Sequence, residues 1–119
     1  MPIIYHIASA GAWYLAVKEG EYTTSTLGRT LAEEGFLHAS SASQVNWVAN
    51  NFYRDVGDDL LLLVIDTARL ASPLRYEDVP GWDEPFPHIY GPLNPDAVLQ
   101  AVPLRAGPDG RYAIEPPVT

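Results

Sequence analysis

GFLHASSASQVNWVANNFY, from Gly35 to Tyr53, carries the reading of the fold. A short apolar run, Phe36-Leu37, leads through His38 into the small pair Ala39-Ser40 and then into a helix. Ser41 and Gln44 have the spacing of a capping box. Val45, Val48, Ala49 and Phe52 recur at helical spacing and form one apolar stripe. A histidine and the hydroxyls of Ser40, Ser41 and Ser43 thus sit where an extended segment hands over to a helix N-terminus, where backbone N–H groups and the helix dipole favour an anion or a polar ligand.

Upstream, Ile3 to Ala8 reads as a strand with His6 near its end. Ser9 is an N-cap for a helix from Ala10 to Glu19 that ends at Gly20, with Trp13, Ala16 and Val17 on its apolar side. Glu21 to Thr30 lacks a clear period and reads as loop or irregular extended chain. A helical turn from Leu27 to Glu34 follows from the Leu27–Leu31 spacing, and Gly35 ends it.

Downstream, Arg54 to Asp59 is a turn, and Leu60 to Asp66, apolar on both faces, belongs in the centre of a sheet. Thr67 to Leu70 is a short helical turn, Pro73 to Asp78 a strand, and Val79 to Pro87 a loop rich in proline. Phe86 to Tyr90 is extended, and Asn94-Pro95 starts another helical turn. Ala97 to Leu104 and Arg111 to Glu115 are expected to pair as a hairpin across Gly107-Pro108-Asp109-Gly110, leaving a loose tail from Pro116 to Thr119. Strands and helices do not alternate regularly, so an α+β domain with a mixed or antiparallel sheet is expected rather than a doubly wound parallel one.

The 119 residues predict a single domain, 1–119, and the 47% apolar and 18% charged composition is that of a globular chain. Cysteine is absent, which excludes disulfides, thiolate catalysis and zinc–thiolate sites. No basic leader or long apolar segment is present, so a cytoplasmic protein without a membrane partner is expected. The net charge of −8 disfavours nucleic acid as a partner and leaves a small-molecule ligand as the expected one.

Three histidines, His6, His38 and His88, each lie on a short extended piece flanked by apolar or aromatic residues. If the pieces converge, they form a pocket with three imidazoles, Ser40 and the phenols of Tyr5 and Tyr90, suited to proton transfer or to binding hydroxyls and phosphate. The alternative is three buried histidines, each satisfied by a backbone carbonyl. The spacings do not match a helical metal motif, and no nucleophile elbow or glycine-rich phosphate loop occurs. Glu77, Asp78, Asp83 and Glu84 are expected to be a solvated acidic loop, with a carboxylate for the pocket as the other reading. Trp13 and Trp47 are expected to pack, whereas Trp82 is placed to cap a ligand.

Ile4-Tyr5-His6-Ile7, Gly35-Phe36-Leu37-His38-Ala39-Ser40 with Gln44-Val45, Leu62 to Asp66, and Phe86-Pro87-His88-Ile89-Tyr90-Gly91-Pro92-Leu93 together resemble the domain-of-unknown-function 952 family of small bacterial proteins. The resemblance runs over nearly the whole chain. That family is similar to the ADP-ribosyltransferase superfamily. The resemblance therefore implies an ADP-ribosyltransferase-like split, curved sheet around a cleft for NAD or a related nucleotide. The element order puts the helices mainly in the N-terminal half, and the histidine spacing leaves no metal expected.

From the local setting and the resemblance together, His6, Tyr5, Ser40, Ser41, Trp82 and Tyr90 are the expected binding residues, and His88 and His38 carry any chemistry. Tyr5-His6 matches the position that holds the NAD ribose. Ile7 replaces the usual glycine, and Leu37 or His38 stands in place of the tyrosine that stacks on nicotinamide. The catalytic glutamate has no clear counterpart, with His88 nearest its position, so an oxocarbenium-like transition state lacks its main electrostatic support. The histidines are closer to those of the RNA 2′-phosphotransferases of that superfamily, which are basic proteins, unlike this acidic chain.

Overall fold

The computed structural model describes residues 3–26, 29–54 and 59–114. The strands are β1 (Ile3–Ser9), β2 (Thr24–Thr26), β3 (Arg29–Thr30), β4 (Leu37–His38), β5 (Leu60–Asp66), β6 (Leu74–Glu77), β7 (Phe86–Ile89) and β8 (Val98–Leu104). The helices are α1 (Ala10–Glu19), α2 (Leu31–Glu34) and α3 (Val45–Phe52), with single 3-10 turns at Thr67–Arg69 and Pro95–Ala97. All sheet pairings among the described residues are antiparallel: β1-β5-β8, β4-β7-β6 and the small β2-β3 ribbon.

The uninterrupted apolar run of β5 requires cover on both faces, and it has it. Leu61, Leu63 and Ile65 join Ile4, Ala8, Trp13 and Leu37 in one core cluster. Leu60, Leu62 and Val64 join Tyr5, Ile7, Val45, Ala49 and Tyr53 in another. The period-2 alternation thus divides the strand between α1 on one side and α3 on the other. Each fully buried leucine or isoleucine contributes roughly 1.5–3 kcal/mol of transfer free energy.

Local signals set the boundaries of α1. The Ser9 hydroxyl accepts from the Ala12 N–H at 3.2 Å, and Gly20, at φ 91°, closes the helix with its N–H on the Ala16 carbonyl. In α2 the Thr30–Glu33 capping box is complete in both directions, and Gly35 takes the left-handed conformation that ends it. The Leu27 end of the expected helical turn, the turn residues 55–58, and the tail fall outside the described residues.

Three local expectations are corrected. Val17 is exposed, because the sheet face is already filled by Trp13 and Ala16 of the same helix. The capping box at Ser41 is half made: Gln44 Oε1 accepts from the Ser41 N–H at 2.9 Å, but residues 42–44 form a turn and α3 starts only at Val45. The hairpin between β8 and the segment from Arg111 does not form. The amide of Asn46 instead makes two 2.6 Å hydrogen bonds with the N–H and carbonyl of Ile114, and Asn50 holds those of Tyr112 at 2.8 and 3.0 Å. With those backbone groups satisfied by α3, a strand partner has nothing left to bond there. No helix of the described residues is long and apolar enough to cross a membrane.

Candidate functional site

The β4-β7-β6 sheet has two chemically distinct faces. Leu37, Ile89 and Leu74 lie side by side across it and turn toward the core. One residue along, His38 pairs with His88, and His88 pairs with Arg75, so two imidazoles and a guanidinium form a row across the opposite face. Alternation adds Phe36, Ser40, Glu77, Phe86 and Tyr90 to that face.

A main-chain bridge joins this sheet to the central one: Tyr5 and Ser40 exchange both N–H···O bonds at 2.8 Å. A cleft of about 550 Å³ opens beside the bridge. Phe36, His38, Ser40, Phe86 and His88 line one side, Tyr5, Ile7, Val48, Phe52 and Tyr53 the other, and Val79, Pro80 and Trp82 the rim. The volume lies within the usual range for small-molecule sites.

All three histidines border this cleft, but they are not equivalent. His6 is buried, with Nδ1–H donating to the His38 carbonyl and Nε2 accepting from the Tyr22 hydroxyl at 2.9 Å. Burial holds its pKa down to about 4 against an ordinary 6.5, so the ring is neutral. The same burial pushes the Tyr22 phenol up, which keeps its proton available to His6. The expectation that His6 holds a ligand is therefore corrected: both ring nitrogens are committed inside the protein.

His88 is held on three sides. Its Nδ1–H donates to Glu77 Oε1 at 2.8 Å, Phe36 stacks on its ring at 4.1 Å, and His38 meets it edge to face at 5.6 Å. Among the described residues no buried polar side-chain atom lacks a partner and Nε2 has none, so Nε2 reaches the cleft. The Tyr90 hydroxyl also donates to Glu77. That bond, followed by the one from His88, holds the Glu77 carboxyl below its usual range, and the same contact raises the Tyr90 phenol. His38 is exposed and donates from Nε2 to Glu34 at 3.2 Å.

The remaining expected residues divide. Tyr5, Ser40 and Trp82 line the cleft. Ser41 does not: its hydroxyl meets Ser43 at 3.1 Å, and both serines turn to Glu84. The helix N-terminus read as an anion site is thus faced by the protein's own carboxylate. Tyr90 shares the face of the histidines but does not line the cleft, its hydroxyl on Glu77 and its ring under the Arg75 guanidinium at 5.3 Å.

Trp47 is not core packing; it is 43% exposed and meets Trp82 and Phe52 edge to face, at 5.1 and 5.5 Å. Of the acidic residues expected to be solvated, Asp78, Asp83 and Glu84 are exposed, though Glu84 accepts from Ser41 and Ser43. Glu77 is half-buried and bonded to His88 and Tyr90. Arg75 and Phe36 are the contributors that sequence reasoning passed over, while Glu77 follows the other reading of the acidic segment, a carboxylate bonded to a histidine of the pocket. The alternations Leu74-Arg75-Tyr76-Glu77 and Phe86-Pro87-His88 carried the signal, because paired strands put Arg75, Glu77 and His88 on one face. Among the described residues, no group of three or more His, Asp or Glu side chains is placed to hold a metal ion.

The fold and site define a small antiparallel α+β protein with an aromatic, histidine-bearing cleft. The chain belongs to the DUF952 family of proteins of unknown function, whose family model matches residues 7–101. It is similar to CC0527 from Caulobacter crescentus. The crystal structure of that protein is 29% identical, with 93% of each chain covered and a TM-score of 0.80. Its solution NMR structure gives 30% identity, a TM-score of 0.75, and coverage of 93% of this chain and 91% of that one. No curated protein matches.

Proposed function

We propose that the cleft binds NAD or a related nucleotide, in an ADP-ribosyltransferase-like arrangement. The observation that carries this reading is the row His38–His88–Arg75 beside an aromatic-walled cleft. When protonated, the imidazoles of the row offer N–H donors for phosphate oxygens, with the Arg75 guanidinium next to them. Phe36, Phe86 and Trp82 offer ring faces and edges for a base. The residues present fit the phosphates and base of such a ligand better than its ribose, because His6 has no nitrogen to give.

Binding is tested by adding NAD, ADP-ribose and nicotinamide separately while following tryptophan fluorescence, with calorimetry alongside. The expected result is saturable quenching by ADP-ribose that Trp82→Ala abolishes. Absence of heat and quenching at millimolar nucleotide overturns the reading.

A second reading is a non-catalytic binding or interaction module with structural histidines. The internal bonding of His6 and the exposed aromatics Trp47 and Phe52 favour it. Nucleotide binding without turnover on prolonged incubation separates this reading from an enzyme.

A further inference from the structure

The hydrogen bonds around His88 run in one direction. Tyr90 donates to Glu77, and Glu77 accepts in turn from His88 Nδ1–H at 2.8 Å. A carboxylate only accepts, so the proton on this side of the ring belongs to Nδ1. Phe36 covers the ring at 4.1 Å and prevents it from turning over. The ring nitrogen left for the cleft is Nε2, with a lone pair when the imidazole is neutral.

We propose that Tyr90 and Glu77 are positioning residues that hold His88 with its proton on Nδ1, leaving Nε2 as the proton acceptor for a ligand hydroxyl or water in the cleft. In that step the O–H proton passes to Nε2, and the resulting imidazolium keeps its Nδ1–H on the Glu77 carboxylate, which remains ionised. Arg75 and His38 are the other titratable or cationic groups facing this ring, from β6 and β4, and Glu34 lies beyond His38. The assignment rests on the cleft being a ligand site only for the identity of what gives up the proton. The geometry of the ring is testable without ligand.

The experiment is long-range proton–nitrogen correlation on ligand-free protein with labelled histidines, at a pH where the rings are neutral. The expected pattern for His88 is a protonated Nδ1 and an unprotonated Nε2. Glu77→Gln moves it toward a mixture of tautomers, and Tyr90→Phe moves it part of the way. Diethyl pyrocarbonate, which acylates an unprotonated ring nitrogen, supplies the second readout. His88 reacts at Nε2 and His6 is spared. Glu77→Gln slows the reaction at His88 several-fold, because the ring loses the carboxylate that supports charge on it.

A purely structural Glu77 gives the opposite result, since loosening the wall exposes His88 and speeds its acylation. A wild-type His88 protonated on Nε2, a tautomer unchanged in Glu77→Gln, or faster acylation in that variant overturns the proposal. If Glu77→Gln does not fold, the wild-type tautomer decides alone. Failure of nucleotide to bind leaves these readouts intact.

Discussion

His38 and His88 stand directly opposite one another on β4 and β7, their rings 5.6 Å apart and nearly perpendicular. His38 is the exposed end of the row and His88 its buried middle, so their truncation separates binding from stability. His88→Ala is expected to weaken nucleotide binding about tenfold or more, the loss of a charge-assisted hydrogen bond. His38→Ala weakens it less and leaves the melting temperature nearly unchanged, because the side chain is half exposed. Calorimetric titration and thermal melts of both variants check this.

His6 makes stability depend on pH. Its folded pKa is about 4 and its unfolded value 6.5. Above 6.5 both states are neutral and the protein has its full stability. Between 6.5 and 4 the unfolded chain takes up a proton that the folded one refuses, so stability falls as pH falls, and the loss levels off below 4. The span corresponds to roughly 3 kcal/mol. Urea melts across this window should show the fall, and a His6→Gln variant should show little of it.

Gly91 sets how closely the chain beyond β7 passes Ser72. It has φ 151°, and a Cβ there would lie 2.9 Å from Ser72 Cβ. Ser72 is fixed by its hydroxyl on the Pro92 carbonyl at 2.7 Å and cannot swing aside without losing that bond. Gly91→Ala should therefore destabilise by about 2 kcal/mol or more, from overpacking and backbone strain together. Denaturant unfolding of the variant measures it.

Gln44 anchors the rim of the cleft. It is fully buried, donates to the Glu84 and Pro85 carbonyls at 3.3 and 3.1 Å, and accepts from Ser41. Gln44→Ala removes three part-buried hydrogen bonds to the backbone and should cost about 1–3 kcal/mol. It should also release the segment carrying Trp82, seen as faster amide exchange in residues 79–85 than in β5.

The parts of the fold that local chemistry specifies were legible in the sequence. Ser9 and Gly20 bound α1, and the unbroken apolar run of β5 required a central strand. The site was legible only as residue types. That His38, His88 and Arg75 share a row depends on pairing strands distant in sequence, and register is set by how the apolar partners Leu37, Ile89 and Leu74 meet. Glu77, on an expected strand, read first as solvated because a carboxylate among other acids resembles open surface until a histidine is placed opposite it. The lost hairpin has the same origin: the asparagines of α3, polar positions on an otherwise apolar helix, supply the hydrogen bonds that a strand partner was expected to make.

The claim that the histidine row forms a nucleotide site is tested most directly by titrating ADP-ribose while following the ring resonances of the three histidines. His38 and His88 should shift together along one saturation curve, with His6, sealed between His38 and Tyr22, moving little. Unmoved His38 and His88 resonances at millimolar ADP-ribose would contradict it.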